Sequence, residues 1–415
     1  MSPRTRIVFW CALAAVLIFG ISIRAAHIQD PHRLTPNERA YIYFAGRIDD
    51  EGLLKASRAL FLEYKNDPDM WAVSQPVRVG YFGLLAAVMK IMGTHSVEAG
   101  MTLSFLNSVF YLLLVAWAGL RYFNHWVALI AAALFTTSFM ELWLVRGSHQ
   151  DGPFGLLGFI ALLLTCEIMR NPRRWWLHVP FHIVGIWSVL MKQSGVFTYG
   201  FCGLVLILFL LFRERALRSA IVVFITCCLG VAAACGILVW LAGDQHTAWR
   251  VFRLSFISND EAWAYQDECC FGGWGQVPWV LFQLSPLTCV LGVLGGAVLL
   301  IPGSLTALQK WSGAVCAIMG YGFIGLFSLY PKMQILRYIT PGDGAMCLLA
   351  GIALWYLLAQ ARPRLAGLEY AALLAVAAAG IVIGGLRDYR AFDRVAMQAG
   401  VPDLGAPLIR EALGQ

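Results

Sequence analysis

The chain has 415 residues, of which 59% are hydrophobic and only 13% are charged, and its mean hydropathy is +0.69. Soluble proteins carry about 25% charged residues, so this composition excludes a water-soluble protein. It predicts an all-α membrane protein with many spans. The net charge of +7 does not indicate a nucleic-acid partner, because the basic residues fall between hydrophobic runs, where membrane topology accounts for them.

The N-terminus carries Arg4 and Arg6, followed by an apolar run over residues 7–23. At about 17 residues, this run is longer than the core of a signal peptide, which has roughly 7–15. We therefore expect an uncleaved first transmembrane helix at about 7–24. A long polar loop follows at 25–100, and its alternating charged and apolar residues predict amphipathic helices on the membrane surface.

The apolar run 79–93 at the end of this loop determines the topology. It contains Lys90, and at about 15 residues it is shorter than the roughly 20 that a span requires. We interpret it as an interfacial or re-entrant helix. The arginine-rich connections then face the cytoplasm, as the positive-inside rule requires. About eleven spans result, with a cytoplasmic N-terminus and a periplasmic C-terminus in a bacterial inner membrane. They lie at about 7–24, 101–120, 126–145, 152–169, 176–191, 196–212, 218–242, 278–301, 311–330, 341–360 and 367–386.

These spans form one predicted transmembrane domain, 1–386, with a short periplasmic tail at 387–415. Besides the loop 25–100, the domain has a second long periplasmic loop at 243–277. Acids and aromatic residues alternate in this second loop, a pattern typical of sugar binding and also of an interfacial aromatic belt. Its adjacent Cys269 and Cys270 lack the spacing of a metal site.

Two acids on the predicted outward face are candidates for proton transfer. Glu38 can act as a general base, or it can belong to the first turn of a helix capped by Thr35 or Asn37. Asp151 is either a helix N-cap before a proline or a functional carboxylate. His149, in the same stretch 146–151, is a candidate metal ligand or proton carrier.

Three cations recur at the outer membrane edge, where positive-inside statistics disfavour them: Arg78, Lys192 and Arg337. Their side chains either extend to lipid headgroups or bind an anionic headgroup such as a phosphate.

Three motifs in this order carry a resemblance to a known family. The first is Asn37-Glu38-Arg39-Ala40-Tyr41, followed later in the loop by Gln75-Pro76-Val77-Arg78; the second is the stretch 146–151 with Pro153; the third is Arg337-Tyr338-Ile339-Thr340-Pro341. The chain resembles, over roughly residues 7–360, the polytopic GT-C glycosyltransferases of the protein O-mannosyltransferase and aminoarabinose-transferase group.

The resemblance implies transfer of a hexosyl or pentosyl group from a polyprenyl-phosphate donor to an acceptor hydroxyl at the periplasmic face, with inversion. It implies catalytic roles for Glu38 and Asp151. It also implies that the donor or its phosphate is bound by Arg78, Lys192, Arg337, Asn37, Tyr41 and Tyr338. Some relatives bind a divalent metal, but this sequence shows no compelling metal site. The expected partners are the lipid-linked sugar, membrane lipids and an acceptor that is a lipid, a glycan or a protein.

One departure from the family concerns Asn37, because the family carries an aspartate, its presumed base, at this position. Either Glu38 or Asp151 takes over that role, or activity is altered or lost. Two other classes therefore stay open: a non-catalytic subunit with the same fold, and a transporter or flippase. A transporter would show inverted repeats and charges in the middle of its helices, whereas here the predicted helix centres are nearly free of charge.

Overall fold

The computed structural model describes residues 2–28, 35–72, 75–256, 274–329, 335–360 and 367–399. All regular structure in these ranges is helical, which confirms the predicted fold class. The first half contains α1 (Pro3–His27), α2 (Pro36–Glu51), α3 (Leu53–Asn66), α4 (Val79–Met92), α5 (Val97–Ala118), α6 (His125–Thr136), α7 (Phe139–Leu144) and α8 (Asp151–Arg170). The second half contains α9 (His178–Met191), α10 (Gly195–Phe212), α11 (Leu217–Ala242), α12 (Gln245–Phe256), α13 (Gln276–Leu284), α14 (Pro286–Leu300), α15 (Ala307–Leu329), α16 (Thr340–Ala359) and α17 (Gly367–Ala399).

Eight helices of the described part are long and apolar enough to cross a membrane. A ninth crossing results if α13 and α14, which meet at an angle of 114°, form one span. The predicted count of eleven therefore exceeds what length and composition support in the structure. The difference comes from two of the predicted spans, because 126–145 is broken into α6 and α7, and 176–191 corresponds to the short apolar helix Trp175–Met191.

The break between α6 and α7 coincides with a buried arginine at the end of α1. Arg24 is completely buried, and its guanidinium donates to the carbonyl oxygens of Thr136 at 3.1 Å and Phe135 at 3.0 Å. The last carbonyls of a helix have no partner within the helix, so Arg24 satisfies the end of α6. Its Nε donates to Ser108 Oγ at 2.8 Å, and Ser108 donates to Glu141 Oε2 on α7 at 2.7 Å.

The last helix, α17, packs along the same break. Gly385 lies so close to Thr137 that an added Cβ would be 2.0 Å from the threonine Oγ1, so a larger residue does not fit there. Further along, the ring of Phe392 packs against Phe139, with 5.1 Å between centroids. Asp393 forms an ion pair with Arg146 just beyond α7. Helix α17 thus extends through the predicted domain boundary at 386 and contacts the segment before α8.

Three short helices occupy the region that the sequence assigns to the first long loop. Helix α2 packs on α4 through aromatic pairs, among them Phe44 with Phe82 at 5.2 Å between centroids. Helix α4 has 14 residues, fewer than a span requires, as the sequence predicts. In the second long loop, α12 begins with Asp244 accepting a hydrogen bond from the Thr247 backbone N–H at 2.8 Å. The acids and aromatic residues predicted for sugar binding at 260–268, and Cys269 and Cys270, lie outside the described residues.

Replacing Arg24 with methionine is expected to lower the free energy of unfolding by about 3–5 kcal/mol, because it leaves the buried Glu141 and the end of α6 without the guanidinium. Thermal unfolding of the detergent-solubilised protein measures this. The matched control is Arg121→Met, which removes an arginine whose side chain is 42% exposed and pairs with Glu167 at 2.8 Å. That substitution should cost no more than about 1 kcal/mol. Equal unfolding temperatures for the two variants would contradict the role assigned to Arg24.

Candidate active site

The segment 145–151 between α7 and α8 carries a row of polar side chains that are all buried: Arg146, Ser148, His149, Gln150 and Asp151. It lies directly against α5. A Cβ added at Gly100 of α5 would be 2.1 Å from Ser148 Oγ, so this contact requires glycine. Ser104, one turn further along α5, donates to the Gly147 carbonyl oxygen at 2.8 Å. The segment therefore has a fixed position on α5, and its side chains point into a polar cluster.

Glu38 reaches this segment from the first turn of α2. It forms a capping box with Thr35: the Thr35 backbone N–H donates to Glu38 Oε2 at 2.9 Å, and Glu38 N–H donates to Thr35 Oγ1 at 3.2 Å. The capping interpretation of Glu38 is therefore confirmed. Its other oxygen, Oε1, accepts the Ser148 backbone N–H at 2.7 Å. Glu38 thus joins the start of α2 to the segment 145–151, and Asn37 lies beside it, half-buried.

Asp151, the first residue of α8, lies between two of the predicted cations. Lys192 Nζ donates to Asp151 Oδ1, and Arg337 Nε lies 3.4 Å from Oδ2, with all three side chains buried. The Lys192 ammonium also sits 3.5 Å from the centroid of the Tyr338 ring, a cation–π contact. Burial lowers the pKa of Lys192, and the Asp151 carboxylate partly offsets this effect.

Arg78 precedes α4 and joins the cluster through tyrosines. Its Nη1 donates to Tyr41 Oη at 2.7 Å. The Tyr41 ring packs edge-on against Tyr81, with 5.2 Å between centroids, and Tyr81 Oη is hydrogen-bonded to Ser148 Oγ at 3.0 Å. The third predicted cation therefore connects to the same segment as the other two.

His149 lies between Glu38 of α2 and Arg337. This arginine belongs to the short 3₁₀ turn Leu336–Ile339 before α16. The Nε2 of His149 is 3.7 Å from Glu38 Oε1, and its Nδ1 is 3.4 Å from Arg337 Nη1. The structure thus brings together all the predicted acids and cations, along with Tyr41 and Tyr338. Sequence reasoning missed Ser148 and Tyr81. Ser148 lies inside a stretch that was singled out for its neighbours, and Tyr81 has no local signal that separates it from an ordinary core tyrosine.

The charges of this cluster suit an anion better than a metal cation, because its described side chains include three basic groups, Arg78, Lys192 and Arg337, beside the carboxylates of Glu38 and Asp151. One group among the described residues has ligand atoms close enough for a metal: Asp49, Asp50 and His95. It sits at the opposite end of α2, about 17 Å along the helix axis from Glu38. His95 Nε2 is 2.9 Å from Asp49 Oδ2. This contact pairs α2 with the turn before α5.

No family model and no curated protein matches the sequence. The structure does match solved structures. It is similar to ArnT, an aminoarabinose transferase from Cupriavidus metallidurans, in the apo state, with a TM-score of 0.59 and 16% identity over 97% of this chain and 75% of that chain. The same protein bound to undecaprenyl phosphate gives a TM-score of 0.53 with 15% identity and the same coverage.

A second match is the archaeal oligosaccharyltransferase AglB from Archaeoglobus fulgidus, solved in complex with an inhibitory peptide and a dolichol-phosphate. Its TM-score is 0.58 and its identity 12%, over 98% of this chain and 59% of that chain. At identities of 12–16%, the similarity shows the fold alone. Both proteins are GT-C glycosyltransferases, so the resemblance that the three motifs carry is confirmed at the level of architecture. The chain has the GT-C fold.

Proposed function

We propose that this protein is an integral-membrane glycosyltransferase that transfers a sugar from a polyprenyl-phosphate donor to an acceptor hydroxyl at the periplasmic face. The observation that supports this best is the gathering of Arg78, Lys192 and Arg337 around the segment 145–151 at one end of the helix bundle. Buried cations are expensive unless they have anionic partners. Among the described residues, Asp151 contacts Lys192 and Arg337, and a bound phosphate would bring further negative charge to the same cations.

The chemistry of the cations fits a lipid phosphate at this position. Arginine offers a planar set of N–H donors that binds phosphate oxygens in pairs, and lysine adds a compact positive charge. A polyprenyl phosphate is held at the membrane edge by its own tail, where these side chains lie if the site end of the bundle is periplasmic. The undecaprenyl phosphate bound to ArnT and the dolichol-phosphate bound to AglB support this choice of donor.

In the proposed reaction, the acceptor oxygen attacks the anomeric carbon of the donor sugar while the bond from that carbon to the phosphate oxygen breaks. Negative charge grows on the departing phosphate, and Arg337 and Lys192 stabilise it in a site that excludes water. A single displacement of this kind inverts the anomeric centre. The transferred group is a hexose or pentose.

One specific observation favours a second function, a GT-C subunit that binds the lipid without transferring a sugar. Asn37 stands where the resembling family carries its acid, and an amide does not accept a proton. A transporter is less well supported, because the charged residues buried within the bundle, such as Arg24 and Glu141, are hydrogen-bonded to one another through Ser108 and to helix ends.

The purified protein should retain a polyprenyl phosphate, and Arg337→Gln should weaken binding of undecaprenyl phosphate about 10- to 100-fold. A hydrogen bond to a charged group contributes roughly 1.5–3 kcal/mol, and each 1.4 kcal/mol is tenfold in affinity. Native mass spectrometry and lipid titration measure both effects. Arg121→Gln, at an exposed ion pair, is the control and should bind normally. A wild-type protein that neither retains nor binds this lipid would refute the donor assignment.

Asp151→Asn should reduce sugar transfer at least tenfold without weakening binding of undecaprenyl phosphate. Asp151 holds Lys192 and Arg337 in place but also competes with phosphate for them, so its removal leaves the cations attractive to the lipid and poorly oriented for catalysis. Transfer is measured as release of undecaprenyl phosphate from synthetic lipid-phosphate hexoses and pentoses. Glu167→Gln, at a partly exposed acid that pairs with Arg121, is the matched control. Parallel loss of binding and transfer would show that Asp151 merely supports the fold.

A further inference from the structure

We infer that His149 is the general base of this reaction and that Glu38 acts as its positioning residue; the inference rests on the proposed function. Asn37 replaces the acid that the resembling family carries at this position. The inference explains how proton transfer can still occur, because it assigns that step to a side chain outside this motif position.

The contacts of His149 define its tautomer. A guanidinium can only donate hydrogen bonds, so the contact of Arg337 Nη1 with His149 Nδ1, at 3.4 Å, makes Nδ1 the acceptor. The ring proton then resides on Nε2, which faces Glu38 Oε1 at 3.7 Å. The carboxylate lies on the side of the protonated nitrogen and the basic nitrogen on the other side of the ring, the order by which a carboxylate orients a histidine base. The basic nitrogen points toward the cation cluster that receives the phosphate.

The two carboxylates are less suited to accept a proton, because both are held in their charged form. Glu38 accepts a backbone N–H on each oxygen, from Thr35 and from Ser148. Asp151 faces a cation on each oxygen, Lys192 on one side and Arg337 on the other. Hydrogen-bond donors and positive charges stabilise a carboxylate and make it a weak base. A neutral imidazole at physiological pH is the stronger proton acceptor.

Donor binding makes Nδ1 available. Arg337 contacts both Asp151 and His149, and a phosphate is a stronger partner for its N–H groups than a neutral ring nitrogen. As the guanidinium turns to the phosphate, the lone pair of Nδ1 is released to the acceptor hydroxyl, which approaches the anomeric carbon from the side opposite the phosphate. The acceptor hydroxyl then gives its proton to Nδ1 as its oxygen bonds to the anomeric carbon. The electron pair of the breaking C–O bond leaves with the phosphate.

The imidazolium that forms is stabilised from behind by Glu38. The carboxylate is already 3.7 Å from Nε2, and the backbone bonds to Thr35 and Ser148 keep it there. Among the residues that the structure describes, the charged groups around His149 are Glu38 from α2, Asp151 from α8 and Arg337, with Lys192 behind Asp151. Charges of both signs therefore lie around the ring, which suits a group that alternates between its neutral and protonated forms during one turnover.

The test compares His149→Gln and His149→Ala with the wild type in the release of undecaprenyl phosphate from a panel of undecaprenyl-phosphate hexoses and pentoses. A bacterial envelope extract supplies the acceptor. Both variants should lose 10²- to 10⁴-fold in rate, the contribution of a general base, while binding undecaprenyl phosphate within threefold of the wild type. Wild-type transfer should rise with pH, because the base must be neutral, and His149→Gln should lack this rise.

Chemical rescue separates a base from a packing role. Imidazole should restore part of the rate of His149→Ala, whereas pyrazole, which has the same ring shape and far weaker basicity, should not. His95→Gln, at an exposed ion pair with Asp49, is the control and should transfer normally. More than a tenth of the wild-type rate in His149→Gln, equal rescue by the two azoles, or a wild-type rate without the pH rise would each overturn the inference.

Two outcomes separate this inference from the proposed function. A wild-type protein that binds undecaprenyl phosphate but consumes no donor of the panel overturns the role of His149 and leaves a lipid-binding GT-C subunit. A wild-type protein that neither binds the lipid nor consumes a donor overturns the proposed function and this inference with it. Where both histidine variants unfold early, the wild-type pH profile decides alone.

Discussion

The hydrogen bond from the Ser148 backbone N–H to Glu38 Oε1, 2.7 Å long, is the contact on which the geometry of the site depends. It joins two stretches 110 residues apart: the first turn of α2 and the segment between α7 and α8. Because Glu38 also closes the capping box with Thr35, the start of α2 and the position of His149 are determined together. One oxygen of Glu38 caps the start of α2. The other oxygen holds the segment that carries His149.

Support for the segment 145–151 extends well below the site. Arg24 satisfies the end of α6 and reaches α7 through Ser108 and Glu141, so the break before α7, the helix that leads into the segment, is held by buried charge. Helix α17 contacts the same region from the other side, through Gly385 at the break and Asp393 at Arg146. Polar contacts are strong in a medium that offers no water to compete for them. A membrane protein can therefore fix an irregular segment with a few buried hydrogen bonds, and here that segment carries side chains to which the proposed reaction is assigned.

Much of this architecture follows from hydrophobicity and charge. The all-α class, the short helix α4 and the common location of Glu38, Arg78, Asp151, Lys192 and Arg337 were all predicted from span lengths and the distribution of arginines. The break between α6 and α7 was not, since it depends on Arg24, more than a hundred residues away, and an arginine at the end of a first span ordinarily indicates topology alone. Tyr81 and Ser148 were missed for a similar reason. Their roles arise from partners on other helices, and neither position differs locally from a packed residue.

In the proposed reaction, the charge balance of the cluster allows a phosphate and a base to share it. Without a donor, N–H groups of Arg337 face Asp151 and the His149 ring, so charges of opposite sign lie together and tolerate burial. A lipid phosphate competes for the same donors, and the energy it gains is spent partly on releasing His149 Nδ1. In the proposed reaction, donor binding and activation of the base are then coupled through Arg337, which contacts both Asp151 and His149. A base that is released only when the leaving group is in place would limit hydrolysis of the donor by stray water.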